Sequence, residues 1–396
     1  MQYSTFSFYH SMKDTLIRLF VFMTFLFQLK LNAQSVNDYS SVDKTALSIP
    51  YMSVKNTTDI AKYFNEQFNS DENKIRAIFI WLASNINYDI DNIYAINHYA
   101  TTAEIISKTL SSRKAICQGY AETFNELCAK TGIKSFVITG YTKQSGFVDY
   151  IPHAWVTAFV GGKWRLYDPT WGAGFIQDAK FTRHLNPDYF DASPETLIKD
   201  HMPFDPLWQL LNPPLTSAEF YEHKTHGSGD PFNFNDSIKT FEEEDTIERI
   251  NASIRRIESN GIKNSLIYDQ LNYLHRELDF RKQSALVALY NSAVNKSNEA
   301  VTLFNKYIDF KNKQFTPKKT DEEIKHMIET PEKNVTDAKS ILSAIQNPDP
   351  SLAANITSLN TMVNDMMNKI NDEKKFIQKY FDTPKLMRKS LFYQPR

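Results

Sequence analysis

The sequence predicts an α+β domain followed by an all-α region, and three patterns predict it. Apolar residues recur at three- and four-residue spacing in the segments leading up to Gly132. The period falls to two between Lys134 and Trp171, and beyond residue 237 the spacing is helical again. With 396 residues, 42% hydrophobic and 13% aromatic, the chain has material for two or three packed domains. Lys plus Arg number 45 against 46 for Asp plus Glu, a net charge of −1, so no overall field selects nucleic acid, acidic lipid or another polyanion.

The first element is a targeting segment. Lys13 and Arg18 precede the apolar run Leu19 to Leu29, and small Ala33 stands at a suitable cleavage position in "KLNAQS". The expectation is a signal peptide over residues 1–33. A membrane anchor would need about 20 apolar residues, and no cysteine follows the run to support lipoprotein processing. The expected mature chain therefore starts near Gln34, carries no membrane span and is secreted or periplasmic.

Residues 59–68, 71–86 and 102–110 then read as helices. Thr101 with Glu104 forms a capping box, and Ile75, Ile78, Phe79, Leu82 and Ile86 form one face. The next helix is "CQGYAETFNELCAKTG", with Tyr120, Ala121, Phe124, Leu127, Cys128 and Thr131 in one stripe and Gly132 as the stop. Cys117 opens it and Cys128 lies 11 residues on, which at 1.5 Å per residue is about 16 Å, too far for a disulfide. Cys128 fits the stripe as a small buried hydrophobe. Cys117, in the first turn, faces unpaired backbone N–H groups and the positive end of the helix dipole, which stabilise an anionic sulfur.

Two strands, 153–160 and 163–168, flank Gly161 and Gly162, a dipeptide suited to a two-residue hairpin turn. In that register paired positions sum to 323. His153, Trp155 and Asp168 then share a face, with the imidazole and the carboxylate in side-chain reach of one another. A cysteine at a helix start, a histidine and an orienting acid make an acyl-transfer set: Cys117 as nucleophile, His153 as general base and acid, Asp168 as the group that holds the imidazole. His201, His223 and His226 show no metal-ligand pattern and are assigned to packing or solvated loops. No cofactor, metal or calcium loop is expected.

"CQGYAETFNELCAKTGI" followed by "HAWVTAFVGGKWRLYDPTWG" resembles the core of the transglutaminase-like superfamily. "HMPFDPLWQLL", residues 201–211, resembles the tail of the branch that includes kyphoscoliosis peptidase. The resemblance covers residues 45–225. It implies a papain-like fold, helices packed on an antiparallel sheet, with Cys117, His153 and Asp168 at the triad positions and a protein or peptide substrate. The expected activity is hydrolysis of peptide or amide bonds, the alternatives being protein-glutamine transglutamination or a non-catalytic binding module. For the oxyanion hole the candidates are the backbone N–H of Cys117 with Gln118, Tyr88 or Trp81.

The composition changes at "KTHGSGDPFNFND". All 11 glycines lie between Gly119 and Gly261 and no tryptophan follows Trp208. A linker is placed at 226–236 and a helical domain at 237–396, which could position a protein partner. There Ile356, Val363, Ile370 and Ile377 recur every seven residues, interleaved with Leu352, Leu359 and Met366, a seam about 45 Å long if 352–381 is one helix. A second stripe holds Leu286, Tyr290, Ala293, Phe304 and Ile308. Two long helices closing these seams against each other within the chain are expected, rather than an intermolecular coiled coil.

Overall fold

The computed structural model describes residues 38–93, 100–144 and 147–393. The expected signal peptide, residues 1–33, lies outside them. The chain divides into two compact units between Ser237 and Ile238.

The first unit begins with three helices, α1 (Ser40–Leu47), α2 (Thr57–Gln67) and α3 (Asp71–Asn85). Asn56 and Ser70 cap α2 and α3 by accepting from the N–H three residues on, which satisfies donors that have no partner inside a helix. The expected face of α3 proves too narrow. Ala77, Ile80, Trp81 and Ala83 are buried together with Ile75, Ile78, Phe79 and Leu82, because α3 is the central helix, packed against α1, α2 and a later helix rather than lying on a surface. Strand β1 (Asn87–Tyr88) pairs in parallel with β2 (Lys114–Ala115). Between them stands α4 (Thr102–Ser112), which starts at the Thr101–Glu104 capping box.

Helix α5 (Cys117–Thr131) is the hub. Tyr120, Ala121, Phe124, Leu127 and Cys128 are fully buried, at about 1.5–3 kcal/mol for each large side chain taken from water. The Tyr120 hydroxyl donates to the Ile86 carbonyl at 2.6 Å. Gly132 ends the helix at φ 84°, a left-handed stop that glycine adopts without strain. Cys117 and Cys128 are both free and buried.

The sheet follows: β3 (Ser135–Gln144), β4 (Phe147–Val160) and β5 (Lys163–Tyr167), then a small hairpin, β6 (Gly174–Gln177) with β7 (Lys180–Arg183), and last β8 (His201–Pro203). Its four main strands run in the order β5-β4-β3-β8, antiparallel throughout. The hairpin turn has positive φ at Gly161 and Gly162, and the pairing sum of 323 holds from Val160↔Lys163 to Val156↔Tyr167. Short helices α6 (Pro194–Leu197) and α7 (Ser217–Tyr221) border β8 before and after.

Helix α8 (Phe234–Glu243) spans the division, and the second unit continues with α9 (Thr246–Asn260), α10 (Ser265–Asn312), α11 (Asp321–Ala344) and α12 (Pro350–Asp382). Its core is built by three helices where two were expected. Ala293, Ala300, Phe304 and Tyr307 of α10 meet Leu359, Val363, Ile370 and Ile377 of α12, and Ile324, Ile328, Val335, Ala338 and Leu342 of α11 join them. The α12 seam closes within the chain, and the second stripe joins it from Tyr290 onward, Leu286 lying outside this core. The third helix carries Pro331 in its interior, a residue that removes a helical hydrogen bond and interrupts the sequence pattern.

Gly140 of β3 sets how closely β8 can approach. A β-carbon there would lie 2.2 Å from the Met202 carbonyl oxygen and 2.6 Å from the Trp155 ring, distances that force a shift of backbone. Gly140→Ala is therefore expected to destabilise the chain by about 1–3 kcal/mol, the usual range for overpacking. Urea unfolding followed by tryptophan fluorescence reads this directly, and an unchanged midpoint would contradict it.

Candidate active site

Cys117 is the first residue of α5, with Ile116 as its cap. Its N–H and that of Gln118 lie in the turn where no helical carbonyl precedes them. Cys117 is 8% exposed as a residue, and its sulfur sits 3.9 Å from the Pro152 carbonyl, one residue before His153.

His153 lies on β4 opposite Gly140, and its ring is walled by Trp155 (centroids 5.9 Å) and Trp171 (5.7 Å). Nε2 is 2.8 Å from Asp168 Oδ2, and the Cys117 thiol is among the groups whose influence reaches the ring. With Nε2 engaged, Nδ1 is the nitrogen left for sulfur. Burial alone would lower the basicity of this imidazole, but the charge and hydrogen bond of Asp168, then Cys117, outweigh it and raise the pKa to about 10.

Strand pairing stops at Tyr167, and Asp168 turns its side chain inward with no exposure. Oδ1 accepts the N–H of Thr170 at 2.8 Å and of Trp171 at 3.2 Å. Oδ2 meets His153 and, at 3.0 Å, His201 Nε2. Burial would push this carboxyl up; the charge and hydrogen bonds of His153, followed by those of His201, hold it well below the usual carboxylate range instead.

Cys117, His153 and Asp168 are thus brought together. His201 corrects the sequence reading: assigned there to packing or solvent, it is a buried member of this cluster. Its other nitrogen, Nδ1, is 2.5 Å from Asp200 Oδ1. A three-residue strand is too short to show a period, and the available signals were the acid beside it and its place in "HMPFDP". His223 and His226 are exposed. Ligand atoms of His153, Asp168 and His201 lie within 4.8 Å of one another, close enough for a metal. Asp168 Oδ2 already meets both imidazoles, and its Oδ1 meets two backbone donors.

Among the oxyanion candidates, Trp81 is fully buried and its Nε1 meets no acceptor among the described residues. Gln118 lines a cleft of about 470 Å³ beside the α5 start, shared with Asp89, Ile105, Lys108 and Gly119. Tyr88 is electrostatically coupled to the nucleophile's surroundings: burial, then the charges of Cys117 and Asp168, push its phenol up.

No helix among the described residues is long and apolar enough to cross a membrane. Residues 58–169 match the transglutaminase-like superfamily. Kyphoscoliosis peptidase of Mus musculus is 33% identical over 171 residues, which cover 41% of this chain and 25% of that protein. Hillarin of Drosophila melanogaster is 26% identical over 46% of this chain and 24% of its own length. The chain thus spans about a quarter of the length of the curated relatives it matches. Among solved structures, the periplasmic domain of TgpA from Pseudomonas aeruginosa is 19% identical over 35% of this chain and 49% of its own, with a TM-score of 0.25. Residues 58–169 thus carry a transglutaminase-like domain, and over the wider match the chain is similar to the branch that includes kyphoscoliosis peptidase.

Proposed function

We propose that this chain is an exported cysteine-nucleophile hydrolase of peptide or amide bonds in protein substrates. The observation that carries the reading is the buried His153–Asp168 pair beside the start of α5, with the Cys117 sulfur 3.9 Å from the Pro152 carbonyl, one residue from His153. The Cys117 sulfur attacks the carbonyl carbon, and a C–S bond forms as the C–N bond breaks. His153 delivers the Nδ1 proton to the departing nitrogen. Water then attacks the thioester, gives its proton to His153 and releases the acid and the thiolate. Asp168 fixes the imidazole tautomer and balances its cationic form. The developing oxyanion is met by the Cys117 N–H and, as our choice of side chain, the Tyr88 hydroxyl. Export rests on the apolar run Leu19 to Leu29. The helical unit is assigned to holding the substrate or a protein partner.

Iodoacetamide at neutral pH should alkylate Cys117 faster than the buried Cys128, and His153→Ala should slow the Cys117 reaction about 10²-fold or more. Peptide mapping by mass spectrometry measures both rates, and equal rates with and without His153 would remove the imidazole from the mechanism. Against a quenched peptide library, Asp168→Asn should fold normally and lose turnover by up to about 10⁴-fold. Label from an added fluorescent primary amine, appearing on glutamine-rich acceptors in a Cys117-dependent manner, would instead identify amine transfer.

The raised pKa of His153 also sets a stability trend. A group raised on folding stabilises fully below its ordinary value of about 6.5 and loses that contribution as pH climbs through the folded value. The stability difference between wild type and His153→Ala, from urea unfolding, should therefore be larger at pH 6 than at pH 10. A difference that grew toward pH 10 would contradict the assigned protonation.

A further inference from the structure

Asp168 has a second imidazole partner that the triad does not use. His201 is held at the sheet edge by pairing with Thr142 of β3, while His153 pairs with Gly140 of the same strand. Positions 140 and 142 point to one face, so the two histidines flank the carboxylate from opposite sides of β3. The approach is possible because Gly140 has no side chain to meet Met202 and Trp155.

Both ring nitrogens of His201 face carboxylates, Asp200 Oδ1 at 2.5 Å and Asp168 Oδ2 at 3.0 Å. An ionised carboxylate only accepts, and a neutral imidazole has a single N–H to give. With both carboxylates ionised, one ring can serve both contacts only with a proton on each nitrogen. Trp155, Trp171 and Tyr189 enclose the ring at 5.2, 4.5 and 5.7 Å between centroids, and His153 lies at 5.3 Å, so the positive charge is balanced by the two carboxylates rather than by solvent. Asp200 is itself held, its other oxygen accepting from the Tyr189 hydroxyl at 3.3 Å and its carbonyl from the Lys143 N–H at 2.8 Å.

We infer that Asp200 and His201 form a positioning pair: His201, protonated on both ring nitrogens, bridges Asp200 to Asp168 and fixes the carboxylate that orients His153. His201 does not touch substrate. It supplies the fourth donor to Asp168, beside His153 and the N–H groups of Thr170 and Trp171. A buried anion with all its acceptor sites occupied has one orientation available and no water to compensate a lost partner.

The inference rests on the triad reading, and two measurements on the full chain separate them. In 15N-histidine NMR at pH 7, with the His201 signals assigned by their loss in His201→Gln, both ring nitrogens of His201 should read as protonated. A single protonated nitrogen overturns the inference whatever the enzyme does. In iodoacetamide kinetics, His201→Phe should slow Cys117 alkylation by about 10- to 100-fold, the usual scale for groups that orient a reactive residue through another. His201→Gln, which keeps an amide N–H toward Asp168, should stay within several-fold of wild type. A folded His201→Phe protein that reacts like wild type sinks the positioning role and leaves the triad standing. Slow wild-type alkylation that ignores His153 sinks the triad, and the NMR result then decides the state of His201 alone.

Discussion

A carboxylate without solvent contact organises this domain. Asp168 carries charge inside the protein, where an unpaired anion would cost several kcal/mol, and it is tolerated because donors reach it from three directions. The turn after β5 offers two backbone N–H groups, β4 offers His153 and β8 offers His201. Those strands lie on either side of β3, so the anion ties the sheet across its width. Removing one donor would leave the others facing an undersatisfied charge, which couples the chemistry of the site to the folding of its frame.

The nucleophile comes from the opposite layer. Helix α5 is buried along most of its length, with Phe124 against Tyr167 at 5.6 Å between ring centroids, so the helix packs beside the end of β5 where Asp168 begins. Cys117 therefore inherits its position from a core contact rather than from a loop. The β1–β2 pair adds a second constraint, since Asn87↔Lys114 and Tyr88↔Ala115 fix the chain just before the cysteine. Tyr88 is carried to the same place by that pairing. A site built on rigid elements in this way keeps its geometry without bound substrate.

Much of this was legible before any coordinates. The Gly161-Gly162 turn sets the β4–β5 register as far as Tyr167, and Asp168 follows directly beyond the ladder, where its side chain meets His153. The glycine stop and the apolar stripe gave α5 its length, and the heptads of α12 announced a buried seam. What stayed hidden shares a physical reason. His201 sits on a strand of three residues whose partner, β3, precedes it by a long excursion, and pairing across such a gap leaves no local trace. Helix α11 hides its apolar positions around Pro331. The face of α3 was underestimated because a helix packed on several sides loses the contrast on which periodicity depends.

Helix α10 divides its 48 residues between two neighbourhoods. Ile267, Leu271 and Leu278 are buried near its start, where it packs against α9, and burial resumes only at Ala293, where the three-helix core begins. The stretch between behaves as a strut: about 1.5 Å of reach and about 100° of azimuth accompany every residue in it. Seven residues added or removed there would change the span by about 10 Å while turning the far end only about 20°. Three or four would swing the α9 face around the axis, so the length of this bare segment, more than its composition, dictates how the unit aims its first helices.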